Sequence, residues 1–366
     1  MHSLCCQFKS LHWNPTDDVT RKTGSNDYRM LQAHFGRRIF RLIFISTTEY
    51  TSEKSLSRML LPAAFRIPCP MNESHLWSAI AGIANAAFLN GMRRGILANR
   101  LVAGAALKAH WPEYLMESAE LGLFMLSACV FTTLLEHPGS PVNYLLPNWF
   151  LRHALAGLAM ALTLLLLIHS SWGKRSGAHM NPAMTLMFLR LRKVEPWDGI
   201  FYMLFQFAGG FAGVVFSSLA IGPALAHPNV NFAATEPGVR GTGVAFIAEL
   251  FISCLLATTV LVTSNHKTLS RFTPYFAATL VAIYIMFEAP LSGMSMNPAR
   301  TLASAIPAHA LHALWIYFTA PPLAMLIAAE LYRRVRSTQA VYCAKLHHDN
   351  KARCIFRCRY MKLQGN

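Results

Sequence analysis

One phrase occurs twice in this chain and limits what it can fold into. "RSGAHMNPAMTLMFL" at 175–189 and "LSGMSMNPARTLASAIPA" at 291–308 both place Ser-Gly, three residues and Asn-Pro-Ala beside a long apolar segment. Asn is a favoured helix N-cap, Pro suits the first helical position, and Ala propagates the helix. The runs that follow, "AMTLMFLRL" and "ARTLASAI", suffice for a helix that crosses only half of a bilayer.

Composition identifies the medium. At 54% hydrophobic and 14% charged over 366 residues, the chain is too apolar for an ordinary soluble enzyme, and a polytopic membrane protein is expected. The net charge of +16 would suggest nucleic acid in a soluble protein, but the Lys and Arg residues crowd the two ends and a few short loops, so no nucleic-acid partner is expected. The eight cysteines are scattered and form no secreted disulfide framework. No cleavable signal peptide is expected, so the first spanning helix would direct insertion.

Six apolar stretches of roughly twenty residues are long enough to cross the hydrocarbon core; they lie near 114–135, 149–170, 197–220, 242–263, 272–289 and 311–331. Lys174, Arg175, Arg190, Arg192 and Lys193 follow the second stretch, and Lys267 and Arg271 follow the fourth, whereas the other connections hold at most one cation. The positive-inside rule therefore places both termini in the cytoplasm. The repeated phrase follows the second stretch of each group of three, and an odd number of spans per repeat inserts the second copy upside down. The expected fold is an all-α polytopic membrane protein with six transmembrane helices plus two re-entrant half-helices in two inverted three-helix repeats. The half-helix N-termini would meet near the midplane, where positive partial charge and two Asn amides orient a neutral molecule and repel cations. The approaches Gly177, Ala178 and His179, and Gly293 and Ser295, would line a wet path.

Paired Asn-Pro-Ala motifs in six-span inverted repeats, with Arg300 after the second, resemble the major intrinsic protein family of aquaporins and aquaglyceroporins over residues 114–335. The resemblance implies a homotetramer with one pore per subunit, central donors at Asn181 and Asn297, and half-helix starts shaped by Pro182, Ala183, Pro298 and Ala299. It also implies an outer constriction at Arg300, joined by Ala161, Ile285 and Met294 when positions are counted back from the motifs without gaps. Glu249 matches the family's acidic support for half-helix backbone, while Glu117 and Glu120 compete for the equivalent place in the first half. Ala161 and Ile285 replace the aromatic and His usual in water-selective relatives, and Thr301 replaces the Asp of the glycerol-facilitating branch. The expected activity is passive passage of water and small neutral solutes through a lipid bilayer, without a cofactor. A channel mainly for glycerol or urea, or a coupled secondary transporter, is the alternative. An intramembrane enzyme would need a catalytic cluster such as His-Glu-x-x-His, which the sequence lacks.

Three regions follow: a basic cytoplasmic N-terminal extension at 1–110, the channel domain at 111–336, and a basic tail at 337–366. The extension carries amphipathic stretches for the membrane surface, with a poorly ordered segment or an upstream start codon as alternatives. The tail, "CAKLHHDNKARCIFRC" at its centre, reads first as a basic lipid-facing segment. Its Cys343, His347, His348, Cys354 and Cys358 offer soft and imidazole ligands. The i,i+4 spacings select Cys343, His347, Cys354 and Cys358 as the candidate zinc set.

Overall fold

The computed structural model describes residues 73–348 and 350–364, with side chains from Asn99 to Leu363. Most of the expected N-terminal extension lies outside the described residues. The remainder is helical, and six segments are long and apolar enough to cross a membrane. The first belongs to a helix, α1, running Glu73–Glu136, whose apolar part is Asn99–Glu136. It begins earlier than the expected 114: the Ala- and Leu-rich stretch from 99 to 110 is helical, and the helix runs on through Pro112. The others are α2 (Trp149–His169), α4 (Pro196–Ile221), α5 (Gly241–Ser264), α6 (Thr273–Phe287) and α8 (Leu314–Arg336). Among the shorter helices between them are α3 (Pro182–Arg190) and α7 (Pro298–Ala305). With 9 and 8 residues, they extend about 14 and 12 Å, half or less of a hydrocarbon core about 30 Å thick.

Both short helices start as their sequences require. The Asn181 side chain accepts from Ala183 N at 2.8 Å, and that of Asn297 accepts from Ala299 N at 3.0 Å and Arg300 N at 3.2 Å. Each Asn has extended backbone and is followed by Pro, so the cap, the fixed φ and the first free N–H groups are all satisfied locally.

Packing exchanges the halves. Helix α3, from the first repeat, lies against α8 of the second, while α7, from the second, lies against α4 of the first. Helices α2 and α6 pair closely, as do α5 and α8. At the α1–α4 crossing the backbones nearly touch: a Cβ added at Gly209 would sit 2.0 Å from Ser118 O, and one at Gly213 would sit 2.3 Å from Gly122 O. Small residues four apart permit such an approach where burial of apolar surface from water cannot drive it. The outer faces retain Leu, Phe and Ile side chains such as Leu166, Leu219 and Phe251, which are more than half exposed, as suits contact with lipid.

Candidate functional site: two facing half-helices and the path between them

The loops leading into α3 and α7 share one conformation at an offset of 116 residues. Gly177, Ala178 and Met180 have positive φ, and so do Gly293, Met294 and Met296. Four of these six are not glycine, so the backbone is strained and must be held by its surroundings. A buried carboxylate in each half does so. Glu117 accepts from His179 N at 2.8 Å and Met180 N at 2.7 Å, and Glu249 accepts from Ser295 N at 2.6 Å and Met296 N at 2.7 Å. Of the two first-half candidates, Glu117 therefore takes the backbone. Glu120, one turn further along α1, accepts instead from the Ser176 hydroxyl at 3.0 Å. The equivalent Ser292 donates to Glu249 and to Glu288. Tyr202 and Tyr317 complete the pattern, donating to Ser176 O and Ser292 O at 2.7 and 2.5 Å.

The two asparagines bridge the halves. Asn181 Nδ2 donates to Met296 O and Asn297 Nδ2 donates to Met180 O, both at 2.7 Å. An amide nitrogen carries two N–H groups, so each Asn keeps one outside this bridge. Both face a cavity of ≈ 90 Å³ that Ala178, His179 and Ser295 also line. Towards the side away from the tail opens a vestibule of ≈ 360 Å³ lined by Ile285, Gly293, Met294 and Arg300. Phe124 and Met294 border both spaces and form the throat between them. Arg300 Nη1 is buried without a hydrogen-bond partner, a donor left open at the vestibule.

Two expected pore positions are corrected. Ala161 lines neither space; Met160, one residue earlier on α2, lines the vestibule with Ala156 and His153. A one-residue step turns a helix by about 100°, which carries Ala161 from the pore to the seam with α6. One turn before it, a Cβ added at Gly157 would meet Ala282 O at 2.6 Å. Gly177 also lines neither space, because the Phe356 ring of the tail covers it: an added Cβ would lie 2.7 Å from Phe356 Cε2. Sequence reasoning missed Phe124, which reads as one apolar residue among many on α1.

The tail departs furthest from expectation. It lies across the end of the bundle, anchored to three connections. Leu346 N donates to Gly177 O at 3.1 Å, Arg357 N to Lys193 O at 3.0 Å, and Tyr342 N to Asn265 Oδ1 at 2.7 Å. Lys345 is only 2% exposed, because its ammonium donates to Lys174 O at 2.6 Å, Arg353 O at 2.7 Å and Ala352 O at 3.3 Å. Burial pushes its pKa down. Ion pairs add Arg353 to Glu113 at 3.6 Å and Arg357 to Glu195.

Within the tail, single ligand atoms of Cys343, His348, Cys354 and Cys358 lie within 4.8 Å of one another. The expected set held His347 in place of His348. The described residues between 341 and 359 form no helix, so the i,i+4 spacing confers no common face, and the His347 ring packs instead at a tilt on that of His169, with centroids 4.8 Å apart. Hydrogen bonds from Cys343 and Cys354 hold the Cys358 thiol below its usual range. Burial lowers the His348 pKa, but bonds to Cys354 and Cys358 outweigh it and raise the group to about 9.

Residues 100–332 match the family model described as Major intrinsic protein. Among curated proteins, the chain is 32% identical over 193 residues to Aquaporin NIP2-2 of Zea mays, a match covering 52% of this chain and 62% of that protein. It is 31% identical over 168 residues to Probable aquaporin NIP7-1 of Arabidopsis thaliana, covering 45% of this chain and 58% of the relative. The chain thus spans about three-fifths of the length of these relatives. In fold it is similar to the aquaglyceroporin from Plasmodium falciparum, with a TM-score of 0.51 at 18% identity, over 63% of this chain and 98% of the other.

Proposed function

The chain belongs to the major intrinsic protein family, and on that premise we propose that it conducts water and small uncharged solutes passively across a bilayer. The observation that carries this reading is the pair of half-helices facing each other through Asn181 and Asn297, which each keep an N–H for a single file of hydrogen-bonding molecules. The N-terminal ends of α3 and α7 put positive partial charge at the same point, and Arg300 adds a full charge at the vestibule, so cations meet a barrier. Glu117 and Glu249 are taken up by backbone N–H groups, which leaves them unsuited to the proton relay of a coupled transporter.

Glycerol or urea is favoured by one feature, the largely apolar wall that Phe124, Met160, Ile285 and Met294 set opposite Arg300. A solute can bond on one side and slide along hydrocarbon on the other. The basic connections and the basic tail support a cytoplasmic position for both termini, and four subunits with one pore each would cover part of the apolar outer faces.

The test is stopped-flow light scattering of proteoliposomes, with ion conductance measured alongside. Osmotic shrinkage well above that of empty liposomes, without added conductance, is expected. Unchanged shrinkage with water, glycerol and urea, from folded protein whose tail has been opened as described below, would overturn the reading.

A further inference from the structure

The pore described above does not open freely to the cytoplasm. Leu346 of the tail lines the inner cavity together with Asn181 and Asn297, and it is 6% exposed. The Phe356 ring stacks on His179 at 5.3 Å with an interplanar angle of 10°, while His179 Nε2 bonds Ala344 O at 2.8 Å. The tail thus covers the cytoplasmic mouth with two apolar side chains and occupies the polar edge of a pore-lining histidine.

This cover has little structure of its own. The described residues between 341 and 359 contain neither helix nor strand; their backbone bonds are short-range turns and the Arg359 N to Tyr342 O contact, with Leu346 N to Gly177 O and Arg357 N to Lys193 O reaching the loops beneath. A segment so short cannot bury enough apolar surface to fix itself, and natural chains add a crosslink or a metal. No disulfide joins Cys343, Cys354 or Cys358. Yet Cys343 and Cys354 place their sulfurs 3.6 Å apart, and Cys358 Sγ lies 3.0 Å from His348 Nε2. In a tetrahedral zinc site with Zn–S bonds of about 2.3 Å, neighbouring sulfurs stand about 3.8 Å apart. Three sulfurs and one imidazole are a donor set that zinc accepts. Three thiolates and one Zn²⁺ leave a net negative charge, and the Lys345 side chain stands close by, its Nζ 2.7 Å from Arg353 O.

We propose that Cys343, His348, Cys354 and Cys358 bind one Zn²⁺ ion, and that this ion folds the tail into a plug whose Leu346 and Phe356 close the cytoplasmic mouth. Binding exchanges the three thiol protons, and any proton on His348, for the metal. Removing the metal loosens the segment between Cys343 and Cys358, so that the anchoring bonds at Gly177 and Lys193 no longer act together. The gate rests on the channel reading; the metal site does not.

The experiment uses the full chain in liposomes, with zinc counted by mass spectrometry and Co²⁺ substitution read by its tetrahedral absorption bands. One zinc per chain is expected, with sulfur-to-cobalt charge transfer in the substituted protein. A membrane-permeant zinc chelator is expected to raise osmotic shrinkage several-fold, and zinc to restore the closed rate. The double substitution Cys354→Ala, Cys358→Ala is expected to lose zinc and conduct constitutively. Leu346→Ala with Phe356→Ala is expected to keep zinc and also conduct, which separates the plug from the metal. Absence of zinc and cobalt binding under reducing conditions overturns the site. Bound zinc whose removal leaves the rate unchanged, while the Leu346→Ala, Phe356→Ala protein conducts, overturns the gate. If no form conducts, the channel reading and the gate fall together, and the metal count alone decides the site.

Discussion

The α1–α4 crossing permits a sharp test because two adjacent glycines make opposite demands. At Gly209 an added Cβ would lie 2.0 Å from Ser118 O, 2.5 Å from Ser118 C and 2.6 Å from Ser118 Cα, all backbone atoms that cannot rotate away. Restoring ordinary contact requires the helices to part by about 1 Å or more, a strain that costs about 1–3 kcal/mol in a packed interior. The separation also reaches the pore. Glu117 precedes Ser118, and its bond from Gln206 Nε2 on α4 is 2.8 Å long. Stretching a bond to a charged group costs a further 1–2 kcal/mol, roughly. Gly209→Ala should therefore destabilise the protein by about 3 kcal/mol, a hundredfold or so in the folding equilibrium, and lower permeability per folded subunit. At Gly210 the nearest atoms, Ala299 O, Ala303 Cβ and Leu121 Cδ2, all stand 3.4 Å away, so Gly210→Ala should be close to neutral. Both variants would be titrated with denaturing detergent, followed by helicity, and then reconstituted for shrinkage measurements. Equal stability of the two proteins would refute the reasoning, since it would mean that the backbones do not meet at Ser118.

Two further outcomes follow from the site. Met294→Ala should widen the throat beside Phe124 and raise urea or glycerol flux relative to water several-fold, whereas Ala161→Phe should weaken the α2–α6 seam and lower thermal stability without shifting that ratio; paired fluxes and melting curves distinguish these effects. Glu117→Gln should destabilise more than Glu120→Gln, because in the first the new amide nitrogen meets a backbone N–H whichever way it turns (His179 N at one oxygen, Met180 N at the other), while in the second the remaining carbonyl oxygen can still accept from Ser176; matched thermal melts in detergent decide it.

The half-helices were legible because Asn-Pro-Ala carries its own local chemistry: cap, fixed φ and helix former lie in consecutive positions, and nothing distant is needed to read them. Glu249 stood out as a carboxylate inside an apolar span. The choice between Glu117 and Glu120 was not available, since the two lie three residues apart on one helical face and only depth in the bundle separates them. Met160 and Ala161 differ by a rotation that no count along the chain resolves. Phe124 and Leu346 line cavities with apolar surface, and an apolar wall has the same letters as an apolar core. In the tail, charge pointed to lipid, but Lys345 found three carbonyls that only the folded loops bring together.

The exchange of half-helices between repeats has a consequence for biosynthesis. When α3 leaves the ribosome, its packing partner α8 lies well over a hundred residues away and has yet to be made. Until then the polar backbone around Met180 can be held by Glu117 but has no Asn297 to answer it. The first re-entrant segment therefore cannot reach its final packing until the later spans have been made. Neither repeat is a folding unit in its own right. A nascent chain arrested after α4 would expose unsatisfied carbonyls to lipid and offer quality-control proteases a substrate that the finished bundle conceals.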